Sequence, residues 1–330
     1  MNRLSVDRIA ELLDKAKDVR VLVVGDLMLD RYISGSVGRV SPEAPVPVVR
    51  VDEDSSAVGG AANVAANVVA LGAGCSLVGC VGEDEAGREL KGALAGLGVD
   101  LDALVTTPDR PTTVKTRVMA RHQQIVRVDR ELASDVGPAT AGHVKEAVAA
   151  TFEACSAFAL EDYNKGVLVP SVTRSVLKAS ADAKVPSIVD PKRQRFFGYE
   201  GVTVFKPNAK ELEDALGEPL RPEDVVWMEA VRDRLGCEHL LLTLGEQGMA
   251  LHSAGAETIL LPTAARAVYD VSGAGDTVTA VLSVSLAAGA TVVEAAVLAN
   301  HAAALEVAKA GVATVTPAEI LAHAEDLLRG

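Results

Sequence analysis

Six short apolar runs recur along this chain, at 19–25, 75–81, 157–160, 187–189, 202–205 and 239–244, and most are separated by Ala- and Leu-rich stretches long enough to cross back over a sheet as helices. A short run rich in β-branched residues and lacking a polar face suits a strand buried on both sides, and strands that alternate with helices pair in parallel. The pattern predicts an α/β fold, a mostly parallel central sheet flanked by helices. Two segments break this rhythm. Segment 31–54 carries Pro42, Pro45 and Pro47, and segment 112–129 alternates as in Val114, Thr116, Val118 and Ile125, Arg127, Asp129. Neither suits a helix. Strands contributed from two separated places predict a small second sheet, a β-sheet lid over the main body, within one domain spanning 1–330.

At 330 residues and 49% hydrophobic composition the chain can bury a large core. Its formal net charge of −13 argues against a nucleic-acid or anionic-membrane partner, both of which select basic faces. Any anion site must therefore be local. Segment 1–20 reads as an amphipathic helix without the apolar centre of a signal peptide, and no uncharged run reaches membrane-spanning length, so a cytoplasmic protein is expected. Cys75, Cys80, Cys155 and Cys237 form no CxxC pair and stand near no histidine at zinc spacing, which predicts buried free thiols. The histidines at 122, 143, 239, 252, 301 and 323 form no triad or ligand spacing.

The strongest chemical signal is the run Asp270-Val-Ser-Gly-Ala-Gly-Asp276, which opens an apolar helical stretch. Small residues at Gly273, Ala274 and Gly275 let backbone N–H groups point at a ligand where unpaired donors and the helix dipole favour a phosphoryl group. Asp276 falls in the first turn, where the dipole keeps it ionised and able to take a proton from an attacking hydroxyl. Neither GxGxxG nor GxxxxGK[ST] occurs, so no dinucleotide or P-loop fingerprint competes for the phosphate role. A second glycine motif runs from Gly59 and Gly60 through Asn63 to Asn67; it suits close approach of a polar ligand, with Asn63 offering a donor and an acceptor to sugar hydroxyls, and equally suits tight helix packing. Asn208 followed by Glu211 is a capping-box spacing after a strand-like run, and it also suits ordering of waters on Mg²⁺.

In this order, the segments 59–67, 208–211 and 270–276 resemble the two signature regions and the Asn-x-x-Glu motif of the PfkB carbohydrate kinases, over essentially the whole chain. Val281 departs from the pattern, standing where a smaller residue is usual. The resemblance implies a ribokinase-like fold, ATP and Mg²⁺, and in-line transfer of the γ-phosphoryl to a sugar hydroxyl with Asp276 as base. It also implies site residues. Asp30, Gly59, Gly60 and Asn63 match the sugar-contacting positions, and Glu161 or Asp162 is placed to face the sugar. Asn208, Glu211, Thr243, Gly245 and Asn300 match positions near phosphate, magnesium or adenine, with Glu211 holding Mg²⁺ through water. Asp270 and Ser272 match residues that bind a monovalent cation, K⁺, in several relatives.

A narrower resemblance is carried by Val24 to Tyr32, Arg39 to Val48, Asp162-Tyr-Asn-Lys-Gly166 and Asp190-Pro-Lys192. These look like the branch of the family that phosphorylates O1 of D-glycero-D-manno-heptose 7-phosphate; a PfkB kinase for another sugar or phosphosugar is the alternative. That branch is often fused to a nucleotidyltransferase, and the sequence carries no HxGH-type motif, so the resemblance is to the stand-alone kinase form. For the substrate phosphate the candidates are Lys115, Arg117 and Arg121, which share strand parity, and Lys192. A lid sheet needs its outer face covered, which predicts a homodimer through the lid sheets.

Overall fold

The computed structural model describes residues 4–121 and 123–329, so His122 and the first three residues of the expected N-terminal helix lie outside it. The chain begins with helix α1 (Val6–Lys15), capped by the Ser5 hydroxyl accepting from the Arg8 N–H, and enters strand β1 (Arg20–Gly25). Two long strands follow, β2 (Leu27–Val40) and β3 (Pro47–Gly60), then helix α2 (Ala61–Ala70) and strand β4 (Gly74–Val78). Strand β5 (Cys80–Gly82), helix α3 (Glu85–Gly96), strand β6 (Val105–Thr107) and the hairpin β7 (Thr113–Ala120) and β8 (Gln123–Arg130) come next. The second half alternates α4 (Pro138–Thr151), β9 (Ala157–Glu161), α5 (Pro170–Ala183), β10 (Ser187–Asp190), β11 (Val204–Phe205), α6 (Ala209–Leu216), α7 (Val225–Leu235) and β12 (His239–Thr243). Strands β13 (Met249–Ser253) and β14 (Ile259–Leu261) and helices α8 (Ala274–Ala287), α9 (Val292–Glu306) and α10 (Pro317–Arg329) complete it.

The central sheet has the order β14-β13-β12-β11-β10-β9-β1-β4. Its strands pair in parallel from β4 to β12, and β13 and β14 add antiparallel. Side-chain alternation divides the interior into two layers. From β1, Val21 and Val23 enter one layer with the apolar faces of α1, α2, α8 and α9, while Leu22 and Val24 enter the other with α4, α5 and α7. Burying one such side chain contributes about 2 kcal/mol, so the two-sided burial explains why these runs lack a polar face. Helix α8 lies in the first layer, buried continuously from Asp276 to Ser285. Two of its hydroxyls are satisfied locally, Thr279 donating to the Gly275 carbonyl at 3.1 Å and Ser283 to the Thr279 carbonyl at 2.7 Å, while Thr277 donates to Asn67 Oδ1 on α2 at 3.4 Å. The alanines of α2 let it pack closely on α8, so the packing role considered for the second glycine motif is realised.

The two atypical segments form a separate four-stranded sheet of order β3-β2-β7-β8. Two details differ from the sequence expectation. The second sheet begins at Leu27 and Thr113 and its paired strands β2 and β3 are interrupted at 41–46, around Pro42 and Pro45. The run at 75–81 is not one strand: it breaks at Gly79, and β5 leaves the central sheet to pair with β6. A Cβ at Gly79 would stand 2.1 Å from Leu27 Cδ1 and 2.6 Å from the Gly25 carbonyl oxygen, so the break lets β2 pass. Cys75, Cys80, Cys155 and Cys237 are buried and free, as expected. Among the described residues no helix is long and apolar enough to cross a membrane.

Candidate active site

The parallel strands β1, β9 and β10 all end at one edge of the sheet, at Gly25, Glu161 and Asp190, and the start of α8 lies against them. Open α/β sheets place ligands at such carboxyl ends. Gly273 caps α8 with φ of 94°, a left-handed conformation suited to glycine; the Ala274 N–H donates to the Val271 carbonyl at 3.4 Å, and the N–H groups of Gly275 and Asp276 belong to the first turn, which has no intrahelical acceptor for them. One side of this turn lines a largely apolar cleft of about 760 Å³. Asn208, Thr243, Gly245, Gly275 and Asn300 border it, so five of the residues matched to the nucleotide from sequence are brought together, while Glu211 and Gly273 do not line it. Asn300 also donates to the Pro262 carbonyl at 2.7 Å.

Asp276 faces away from that cleft and is only 3% exposed. Its Oδ2 accepts from Asn63 Nδ2 at 2.7 Å and its Oδ1 from the Tyr163 hydroxyl at 2.8 Å. Burial pushes its carboxyl up to about 6, against the pull of those two donors. Oxygens of Glu161, Asp190 and Asp276 come within 4.8 Å of one another. Glu161 is fully buried and neither of its carboxylate oxygens has a hydrogen-bond partner. Burial, with Asp190 and Asp276 beside it, holds Glu161 well above the usual carboxylate range. Lys206, itself buried, donates to Asp190 at 2.8 Å and offsets part of this negative charge.

On the sugar-side positions, Asp30 from β2 pairs with Arg117 from β7, whose guanidinium also lies 5.4 Å from the centre of the Tyr32 ring. Gly59 and Gly60 line this corner because nothing larger fits: a Cβ at Gly59 would stand 2.3 Å from Asp30 Oδ2, and Gly60, at φ of 59°, would meet the Asp26 carbonyl oxygen at 2.5 Å. Lys115 stands on the same face of the second sheet, 3.0 Å from the Met28 sulfur. Burial lowers its pKa.

One sequence expectation is corrected, and the structure shows which partners several others hold. Arg121 does not continue the face of Lys115 and Arg117: β7 ends at Ala120, and Arg121 lies beyond it, exposed in the turn with φ of 56°. Of Glu161 and Asp162, only Glu161 reaches the carboxylate group; Asp162 accepts from the Tyr199 hydroxyl at 2.6 Å and the Asn164 N–H at 2.7 Å on the other side of the sheet end. Lys192 lies after β10, and its ammonium pairs with Glu211 and stands 4.9 Å from the centre of the Tyr163 ring. Burial opposes its charge, but Asp190, Glu211 and Glu161 outweigh burial and raise its pKa. Glu211 in turn is occupied, with Oε2 accepting from the Asn208 N–H at 2.9 Å in a complete capping box and Oε1 held by Lys192. Asp270 accepts from the Ser272 N–H at 2.9 Å in the loop before α8, and the nearby buried Glu306 is pushed up to about 8 by burial, Asp270 and Asp276.

Sequence reasoning gave no role to Asp26, Tyr163, Asp190 or Lys206. The signal was present for three of them, because Asp26, Tyr163 and Asp190 lie in the runs Val24 to Tyr32, Asp162-Tyr-Asn-Lys-Gly166 and Asp190-Pro-Lys192. Asp26 and Lys206 follow buried strands and are themselves buried, a placement charged side chains take only when paired.

Residues 19–319 match the model of the pfkB family of carbohydrate kinases. The chain is 43% identical over 323 residues to the bifunctional protein HldE of Pelobacter propionicus, covering 97% of this chain and 66% of that one. It is 44% identical over 317 residues to the bifunctional protein HldE of Geotalea uraniireducens, covering 96% and 65%. The chain thus spans about two thirds of the length of these curated relatives. In fold it is similar to the ribokinase of Arabidopsis thaliana complexed with ribose and ATP, with a TM-score of 0.72 at 24% identity over 93% of this chain and 99% of that one. The phosphofructokinase-2 of Escherichia coli in complex with potassium superposes with a TM-score of 0.75 at 19% identity over 94% and 99%. With the glycine turn, the cleft and the family match in agreement, the chain belongs to the pfkB family of carbohydrate kinases and is an ATP-dependent sugar kinase.

Proposed function

We propose that this kinase transfers the γ-phosphoryl of ATP to O1 of D-glycero-β-D-manno-heptose 7-phosphate, giving the 1,7-bisphosphate used in ADP-heptose and lipopolysaccharide core assembly. The observation that carries the reading is convergence. Three runs that resemble the heptose-phosphate branch are far apart in sequence, yet two of them bring Tyr163 and Asp190 to Asp276 and Lys192 to the Tyr163 ring, and the third supplies Asp30 beside Gly59. Asp276 takes the proton from the acceptor hydroxyl, and the N–H groups of the Gly273–Asp276 turn steady the charge on the transferring phosphoryl. Asp30 and Asn63 hold sugar hydroxyls. Asn208, Thr243, Gly245 and Asn300 border the nucleotide. Glu161 and Asp190 fit Mg²⁺, because hard carboxylate oxygens suit it and those of Glu161 have no partner; the ion supplies positive charge to the phosphates. Asp270 and Ser272 would serve a potassium ion, near the buried Glu306, whose carboxylate oxygens have no hydrogen-bond partner. A coupled ADP-release screen of phosphorylated heptoses, hexoses and pentoses tests the acceptor: the highest kcat/KM is expected with the heptose 7-phosphate, and a clearly higher value with another sugar overturns that choice.

A 7-phosphorylated sugar brings a second anion to an acidic protein, and the second sheet offers Lys115 and Arg117 on the face that bears Asp30. Arg117→Ala is expected to raise KM for the phosphosugar at least about tenfold, roughly 1.4 kcal/mol, with little change in KM for ATP. Equal losses with a non-phosphorylated heptose would assign Arg117 to holding Asp30 alone.

The second sheet acts as the lid, and its opposite face supports a homodimer. Val126 and Val128 on β8 are 46% and 56% exposed, and Val51 on β3 is 54% exposed, so an apolar strip is left for a second copy to cover. Val128→Glu is expected to convert a dimer into a monomer by light scattering at micromolar concentration. A wild-type protein of monomer mass across that range contradicts the assembly.

A further inference from the structure

Tyr163 lies in the loop that follows β9, and its position is determined from several directions at once. The buried Asp26 carboxylate accepts the backbone N–H groups of Tyr163 at 2.9 Å, Lys165 at 2.9 Å and Val167 at 3.0 Å. Asp162 ties down the next peptide, and Asn164 and Gly166 take positive φ of 55° and 86°, which folds the loop back on itself. Two ammonium groups lie against the ring, Lys115 from the lid at 5.2 Å from its centre and Lys192 from the end of β10 at 4.9 Å. The hydroxyl then reaches Asp276 Oδ1 at 2.8 Å while Asn63 takes Oδ2. One donor on each oxygen fixes the plane of the carboxylate and leaves each oxygen a further lone pair for the acceptor hydroxyl. Burial and the neighbouring Asp276 hold the phenol well above its ordinary pKa, so it remains a donor.

We propose that Tyr163 is a positioning residue for phosphoryl transfer: its hydroxyl, braced by Asp26 and flanked by Lys115 and Lys192, sets the orientation in which Asp276 meets the sugar hydroxyl. The proposal rests on the reading of Asp276 as the base. It separates Tyr163 from a packing role, because phenylalanine keeps the ring and both of its cation contacts and removes only the hydroxyl.

The test is a kinetic cycle on the full chain with Tyr163→Phe, Asp276→Asn and the double variant. Tyr199→Phe serves as the control, since it loses a like tyrosine–carboxylate bond, to Asp162, away from the base. Tyr163→Phe is expected to lower kcat about tenfold or more, the scale of one hydrogen bond to a charged group, with KM for ATP within about twofold. It should cause no further loss in the Asp276→Asn background. Unchanged kcat in Tyr163→Phe, or the same loss repeated on top of Asp276→Asn, overturns the positioning role and leaves the base assignment intact. Near wild-type turnover in Asp276→Asn overturns both. If Tyr163→Phe does not fold, 3-fluorotyrosine at position 163 keeps the hydroxyl and alters its donor strength: a changed kcat at constant KM for ATP supports the proposal, and an unchanged kcat overturns it.

Discussion

Asp276→Asn is expected to lower kcat by on the order of 10²–10⁴ while the protein folds and binds ATP with nearly unchanged Kd. The substitution removes the proton acceptor and little else, because the side chain keeps its shape and the N–H groups of the Gly273–Asp276 turn remain. On the proposed reading ATP lies on the other side of that turn, in the cleft bordered by Asn208, Thr243 and Asn300. Folding should tolerate the change, since burial already disfavours the ionised form and a neutral amide escapes that cost. Steady-state turnover and isothermal titration with ATP on the same preparation separate the two effects. Turnover close to wild type removes Asp276 from the mechanism, and a lost ATP affinity means that the turn itself has been disturbed.

Asp26→Ala is expected to cost about 3 kcal/mol or more in stability and to abolish most activity. One buried carboxylate satisfies three backbone N–H groups of the loop 163–167, and alanine leaves all three without that acceptor. Burial raises the Asp26 pKa even against those three bonds, so the site is costly to charge and still more costly to empty. Asp26→Asn, which keeps an acceptor oxygen, should lose less. Urea unfolding midpoints of the two variants and the wild type check the order. Because the same loop carries Tyr163 and Lys165, activity should fall in Asp26→Ala even under conditions where the protein remains folded. An alanine variant as stable as wild type means that water replaces the carboxylate in this loop.

Much of the molecule was legible without coordinates. The strands were readable because burial on both faces removes polar residues from a run, and that loss is visible in a window of five or six residues. The start of α8 was readable because a turn that points N–H groups at an anion needs residues without bulk, and Gly273, Ala274 and Gly275 are adjacent in the chain. Asn208 and Glu211 were readable as a helix start for the same reason, their reciprocal bonds spanning three residues. Each of these features is local, and its physics is contained in the residues that display it.

What the sequence leaves open shares the opposite cause. Parity along β7 extends to Arg121 only if the strand does, and the strand ends at Ala120, where the chain turns with a positive φ at Arg121. The partner that Lys192 holds, Glu211, is not visible beside it in the sequence, because α6 brings it there. The choice between Glu161 and Asp162 was open in the sequence because neighbouring residues at a strand end point to opposite faces, and the chain alone does not say which face carries the site. The packing of α8 decided it, placing Asp276 beside Glu161 and leaving Asp162 to Tyr199. What the amino-acid order determined by itself was the α/β architecture and the glycine turn with its aspartate, since both follow from backbone sterics and short-range periodicity. The set of donors and charges around that aspartate, Asn63, Tyr163, Glu161, Asp190 and Lys192, was decided only by the tertiary structure, because separate elements supply them and only their packing brings them within bonding or electrostatic range.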